Sequence, residues 1–254
     1  MKKILLSLIC GIAALGASAQ IHFNAGLETS HLWRGLEVSS GVDVTSQFTF
    51  SDKANHFNIG FWGGMQINKD KYKEFDYFAS YSIGGFTVAL WDIWNFTDAQ
   101  GDAAKIFNYN CRTTSHFFDL SFQYNFGEKV PLTLYWSTII GGKDRGNADG
   151  EAMDTQRYST FVQASYKVYE DDKFVVTPSV GGNFAFKPTM NDEGKKRETF
   201  YGNEGGINDV RLNVTYKLKV GNHEMPITGT AMWNPQFNRG YYGVAINLLT
   251  LYSL

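Results

Sequence analysis

Charged residues of both signs recur on segments that are otherwise apolar at alternate positions. Glu74 and Asp76 stand two apart, as do Asp209 and Arg211, while Glu28, Asp119 and Arg157 hold matching places in their own segments. Lys167 and Lys217 follow the same alternation, and Arg34 comes directly after the first such segment. In an extended chain successive side chains point to opposite faces, so these groups share the face turned away from the apolar residues. Carboxylates and guanidinium groups that face one another across a narrow enclosed space set a transverse field and a constriction, which selects among ions and polar solutes. The same groups, once paired, brace and fill that space as salt-bridged struts. The pattern alone leaves both arrangements open.

Hydrolytic chemistry would need other neighbours. A membrane-embedded hydrolase uses a Ser and a His on one face, with a carboxylate or amide orienting the imidazole. His22, His31, His56, His116 and His223 are followed two residues later by Asn, Trp, Asn, Phe and Met. Ser30-His31 and Ser115-His116 are adjacent, which puts their side chains on opposite faces of a strand. No catalytic residue is therefore expected, and His116 reads as an interfacial residue at a strand end. Asp144, Asn147, Asp149 and Glu151 cluster in a Gly-rich stretch, but their spacing misses the EF-hand pattern and reads as a solvated acidic loop. Lys195-Lys196-Arg197 reads as a solvated basic run that could touch lipopolysaccharide phosphates. Nothing in the pattern implies a metal or another cofactor.

The elements that carry these residues are strands. The alternation predicts twelve, over His22–Trp33, Asp43–Phe50, His56–Ile67, Glu74–Ile83, Phe86–Phe96, Ser115–Phe126, Leu132–Ile140, Thr155–Val168, Phe174–Phe186, Gly206–Leu218, Met225–Asn234 and Arg239–Leu248. The sixth is the clearest. His116, Phe118, Leu120, Phe122 and Tyr124 point one way, and Phe117, Asp119, Ser121, Gln123 and Asn125 the other. The connections alternate in length. Ser51 to Asn55, Gly84-Gly85, Gly127 to Pro131, Tyr169 to Lys173 and Lys219 to Glu224 are short. Thr97 to Thr114, Gly141 to Asp154 and Lys187 to Gly205 are long. Consecutive hairpins send alternate connections to opposite ends of a sheet, so one rim carries tight turns and the other long loops. That asymmetry, with long strands that each repeat an apolar face, predicts a closed antiparallel transmembrane β-barrel. A soluble β-sandwich is the alternative that also alternates. Trp33, Trp94, Phe96, Phe126, Tyr216, Trp233 and Tyr241 gather at strand ends and read as interfacial girdles. Twelve strands give a backbone cylinder about 24 Å across, narrower than the wide porins.

The beginning of the chain supports that location. Met1-Lys2-Lys3 is a short basic segment, Ile4 to Gly16 is apolar, and Ala17-Ser18-Ala19 suits signal peptidase. Residues 1–19 are thus expected to be a signal peptide, and residues 20–254 a single barrel domain in the cell outer membrane. The apolar run is too short to span a bilayer, and no later stretch approaches the roughly 20 apolar residues of a membrane helix. Aromatic content is 16%, and there are 26 glycines. Removing Lys2 and Lys3 leaves 21 basic and 25 acidic residues, a net charge of −4, with no basic tract that argues for nucleic acid. Cys10 leaves with the signal, so Cys111 has no intrachain partner.

A set of short motifs carries a resemblance. Ser30-His31-Leu32-Trp33-Arg34-Gly35-Leu36 places an aromatic-Arg-Gly after the first strand. Gly60-Phe61-Trp62-Gly63-Gly64, Glu74-Phe75-Asp76 and Leu90-Trp91-Asp92 follow in order. Over residues 22 to 96 the chain resembles the TorF-like family, small Gram-negative barrels classed as porins without a general substrate. The chain departs from many outer-membrane proteins in ending Tyr252-Ser253-Leu254 rather than on Phe or Trp. The resemblance implies a barrel and a pore and names no solute.

These readings combine into one expectation: an outer-membrane porin for passive passage of small polar solutes. Glu28, Arg34, Glu74, Asp76, Asp119, Arg157, Asp209 and Arg211 are expected to line its lumen or constriction. Arg34 and the Glu74–Asp76 pair are expected at one rim, drawn together by opposite charge. The expected partners are outer-membrane lipid and lipopolysaccharide, the barrel-assembly machinery and the solutes themselves. Two alternatives remain: a closed barrel acting structurally or by surface binding through its outer loops, and, third, a lipid-modifying enzyme.

Overall fold

A computed structural model describes residues 20–68, 72–148, 151–190 and 197–252. The expected signal peptide, Asp149, Lys195-Lys196 and Ser253-Leu254 lie outside those residues. Within them the wall strands are Gln20–Glu28 (β1), Asp43–Ser51 (β2), Phe57–Gln66 (β3), Lys73–Ile83 (β4), Phe86–Asn95 (β5) and His116–Asn125 (β6). Leu132–Gly142 (β7), Ser159–Tyr166 (β8), Phe174–Ala185 (β9), Gly206–Tyr216 (β10), Ile227–Asn234 (β11) and Arg239–Tyr252 (β12) complete the set. Each pairs antiparallel with its neighbours in sequence, and β1 pairs with β12 from His22↔Tyr252 to Glu28↔Ala245. The sheet therefore closes on itself as a twelve-stranded meander, with no edge strand. The expected barrel is the fold, and the sandwich alternative is excluded.

The outer and inner faces are reversed relative to a soluble protein. Phe122, Leu134, Trp136, Val180, Leu212 and Val214 stand exposed on the outside of the wall. Among the buried side chains polar and charged groups outnumber apolar ones, including Thr49, Asp76, Asp119, Ser121, Ser179 and Asp209. An apolar band of that extent is what a hydrocarbon surround requires, and a polar interior is how barrels of this class are filled. The short connections 52–56, 84–85, 126–131, 167–173 and 217–226 share one rim with Gln20. The other rim carries the segments 29–42, 96–115, 143–158 and 186–205. The predicted asymmetry thus holds.

Two strands differ from the sequence reading in ways that matter for the site. The first strand stops at Glu28. His31–Trp33 pairs instead with Leu36–Ser39 as a separate hairpin. Arg34 (φ +47°) and Gly35 (φ +84°) form its tight turn, with both central residues left-handed, as a two-residue hairpin turn requires. Ser30 Oγ donates to the Ser39 carbonyl at 2.9 Å across the base of the hairpin. Trp33 is consequently no girdle residue; it points inward and packs on Phe117, Phe200 and Tyr201. Tyr241 also faces an interior cavity. The eighth strand begins at Ser159, because Thr155 and Gln156 belong to an outer hairpin, Arg145–Ala148 with Glu151–Gln156. In β9 the register breaks at Gly181/Gly182, while Pro178, three residues earlier, stays in register with Leu212.

Candidate functional site: a hairpin seated across the lumen

The hairpin between β1 and β2 turns into the barrel and reaches the far wall. Arg34 donates to Asp119 as a two-pronged fork, Nη1 to Oδ1 at 3.0 Å and Nη2 to Oδ2 at 2.5 Å. It also donates to the hydroxyls of Tyr201 at 2.8 Å and Tyr135 at 2.6 Å. Its guanidinium carbon lies 4.4 Å from the Trp33 ring centroid. The turn's own carbonyls are held as well. Asn208 Nδ2 donates to Arg34 O at 2.9 Å, and Asn234 Nδ2 donates to Gly35 O at 2.8 Å. These partners sit on β6, β7, β10, β11 and the 186–205 segment, so the tip is fixed to about half the circumference of the wall. Arg34 is 8% exposed and Asp119 1%. A buried charge pair survives only with such complete hydrogen bonding, and a planar guanidinium suits a carboxylate better than an ammonium would.

Apolar packing completes the seat. Ile93, Phe117, Ile139, Phe161 and Tyr201 form a buried cluster, against which Trp33, Leu36, Trp91, Tyr135 and Phe200 pack. This cluster lies inside the barrel; the alternation places Phe117 on the inward face of its strand but gives no sign that apolar side chains gather there. On the turn itself, a side chain at Gly35 would bring Cβ to 2.3 Å from the Asn208 carbonyl oxygen, so the close approach as well as the positive φ calls for glycine.

Three cavities flank the hairpin. An outer cavity of about 600 Å³ is bordered by His31, Trp33, Glu74, Phe117, Lys143 and Arg239, with Glu37, Phe200, Phe237 and Tyr241 around it. A lumenal cavity of about 420 Å³ is bordered by Arg34, Gln47, Glu74, Asp76, Asp119 and Gln123. A second lumenal cavity of about 330 Å³ holds Asp209 and Arg211 and shares Trp33, Arg34, Gln123 and Tyr135 with its neighbour. His31, Trp33, Glu74 and Ile93 border both the outer cavity and the first lumenal one. The two cavities therefore lie next to each other beside the hairpin, on the β4–β5 side of the wall.

The structure distributes the eight expected site residues unevenly. Arg34, Glu74, Asp76 and Asp119 border one cavity, but the partner of Arg34 is Asp119 and not the Glu74–Asp76 pair. Glu74 accepts from Asn95 Nδ2 at 2.8 Å, and Asp76 accepts from the backbone N–H of Trp94 at 3.1 Å. Asp209 and Arg211 satisfy each other along β10, Nε to Oδ1 at 2.8 Å and Nη2 to Oδ2 at 2.5 Å. Glu28 meets His31 Nδ1 at 2.7 Å, at the root of the hairpin. Arg157 precedes β8 and ties two outer segments together through Thr189 Oγ1 and Glu198 Oε2, each at 2.8 Å.

Other expectations need revision. Asp144 is no solvated loop residue; it is fully buried and accepts from Ser159 N at 2.7 Å and Ser159 Oγ at 2.9 Å. Burial pushes its carboxyl up, and the two Ser159 bonds oppose that. His116 lies beneath the 96–115 segment, stacked on Trp94 and packed against Tyr109, with Nδ1 2.7 Å from Asp92 Oδ1. Cys111 is exposed. Lys143, which the pattern did not single out, stands just beyond β7, its Nζ 5.3 Å from the Phe117 ring centroid and 5.8 Å from that of Phe200. Burial pushes its ammonium below the ordinary lysine value, while Glu74 and Asp76 pull it back up. Tyr135, Tyr201, Asn208 and Asn234 were likewise not foreseen. The aromatic-Arg-Gly turn was their one local signal.

No family model and no curated protein matches the chain. Among solved structures it is similar to the outer membrane protein OpdK from Pseudomonas aeruginosa, at 12% identity and a TM-score of 0.37, over 84% of this chain and 58% of that one. It is also similar to the translocator domain of the autotransporter NalP from Neisseria meningitidis, at 11% identity and a TM-score of 0.36, over 97% and 96% of the two chains. A triple mutant of the Rhodopseudomonas blastica porin aligns at 9% identity and a TM-score of 0.35, over 92% and 99%. The chain thus spans well under two thirds of OpdK. Likenesses this distant carry no argument about function, and the fold rests on the strand pairing itself.

Proposed function

We propose that the protein is an outer-membrane porin that passes small polar solutes along the β4–β5 wall, beside a hairpin that constricts the lumen. The observation that carries this reading is the shared border: His31, Trp33, Glu74 and Ile93 touch both the outer cavity and the lumenal cavity beneath it. A carboxylate at that border, with Asp76 two residues further in, gives the route a charged rim of the kind that sorts permeants. The apolar outer band and the motif resemblance to TorF-like porins support the same location and role. On this reading residues 1–19 are removed during export, the wall contacts lipid and lipopolysaccharide, and no catalytic step is assigned.

A second reading is favoured by a specific feature. The Arg34–Asp119 fork and the apolar cluster around it resemble a permanent strut, which suits a closed barrel working through its outer loops. Single-channel recording of the refolded protein in planar bilayers separates the two. Discrete conductance steps support the porin. Silence at protein densities where a known porin conducts supports the closed barrel.

A further inference from the structure

Opposite charges stand in the outer cavity without pairing. Lys143 Nζ faces the Phe117 and Phe200 rings and makes no ion pair among the described residues. Arg239, which opens β12, borders the same cavity and also has no ion pair there. Glu74 and Glu37 supply carboxylates to the same walls, hydrogen-bonded to Asn95 and Ser30. Elsewhere in the barrel interior Arg34 contacts Asp119 and Arg211 contacts Asp209. Phe237 and Tyr241 add aromatic surface to the cavity.

Lys143 and Glu74 are partly buried, whereas Glu37 and Arg239 at the mouth are exposed. Partly buried charges left apart are costly unless a ligand meets them. A simple anion drawn to Lys143 would be repelled by Glu74 and Glu37. A simple cation drawn to Glu74 would be repelled by Lys143 and Arg239. We propose that the outer cavity binds a small zwitterion with an apolar side chain, a short peptide, whose carboxylate meets Lys143, whose ammonium meets Glu74 and whose side chain lies against Phe237. The cavity, about 600 Å³, falls within the size range of small-molecule sites. The inference deepens the porin reading and rests on it for its purpose, since Glu74 also borders the lumenal cavity and the bound peptide would stand at the head of the route.

The test is calorimetric titration of the refolded full-length mature protein with the dipeptide phenylalanyl-leucine, its N-acetyl form and its C-terminal amide. The free dipeptide should bind, and each blocked form should bind at least about tenfold more weakly, the worth of one charge-assisted hydrogen bond. Lys143→Met should bind the free dipeptide and its amide equally while still rejecting the N-acetyl form. Glu74→Gln should do the converse. Paired losses of this kind are not produced by misfolding, which would abolish binding of all forms together. Lys219→Gln, at the opposite rim, should leave all affinities unchanged. No binding at millimolar dipeptide, or equal binding of free and blocked forms, overturns the inference. Conductance is measured on the same preparation. Selective binding without conductance sustains the inference and sinks the porin reading. Conductance without selective binding does the reverse.

Discussion

Arg34→Ala should unseat the hairpin and widen the conducting path. The guanidinium supplies both prongs to Asp119 and the bonds to Tyr135 and Tyr201. Breaking a buried ion pair by removing one partner costs about 3–5 kcal/mol. The lower end applies here, because the adjoining lumenal cavity lets water reach the stranded carboxylate. What remains is the pair of carboxamide bonds from Asn208 and Asn234, about 1 kcal/mol each, together with the packing of Trp33. A loss of about 3 kcal/mol moves the balance between seated and unseated hairpin roughly a hundredfold towards the latter. In planar-bilayer recordings Arg34→Ala should show larger or longer-lived openings than the unaltered protein. Arg34→Lys should fall between them, since an ammonium cannot fork. Heat-modifiable migration on gels should be unchanged, because the wall pairing does not involve Arg34. Equal conductance and open probability in Arg34→Ala and the unaltered protein would refute the seating argument.

Four further outcomes are expected. Gly35→Ala, which forces Cβ to 2.3 Å from the Asn208 carbonyl at φ +84°, should open the path as Arg34→Ala does, and unchanged openings would show that the turn shifts without strain. Neutralising Glu74 and Asp76 together should move the reversal potential across a salt gradient towards anion preference, less so at 1 M salt where screening acts over ~3 Å; an unmoved potential removes both from the path. Leu212→Arg places a charge on the outer band and should block assembly at a cost of ~2–4 kcal/mol if near the midplane, whereas Gln123→Arg, bordering both lumenal cavities, should assemble. Equal yields would invert the assignment of faces. At the short-turn rim Glu170 accepts from Lys167 and Lys217, which hold its carboxyl down to about 2. A depressed folded value means that this contribution is present above the ordinary glutamate range and is lost as pH falls through about 2. A carboxyl NMR titration of Glu170 with its midpoint at the ordinary value would show the bridge to be absent in solution.

The chain's alternation was enough to fix the barrel. A period-two pattern decides which side chains face outward whatever the register, and the alternating lengths of the connections decide which rim is which, so β2 to β7 and β9 to β12 lie within a few residues of the expected spans. Trp33-Arg34-Gly35 stands out only as a motif after the first strand, and the alternation runs that strand through Trp33, so the turn itself is not legible there. What the sequence could not supply was the direction of the turn. Whether that hairpin stands out in solvent or folds across the lumen depends on Asp119, Tyr135, Tyr201, Asn208 and Asn234, which are 85 to 199 residues away along the chain. Parity places Asp119 and Asp76 on the same inner face and cannot choose between them as partners for Arg34. The closed cylinder makes that choice by setting β6 across the lumen from β1, where the fork fits, and by leaving Glu74 and Asp76 on another wall of the same cavity. Ile93, Phe117, Ile139 and Phe161 lie on four consecutive strands, Ile93 directly opposite Phe117, so strand pairing alone sets them side by side. Only the tertiary structure brings Trp33 and Leu36 of the hairpin, and Phe200 and Tyr201 of the 186–205 segment, down onto them, because those groups come from loops whose path the alternation does not fix.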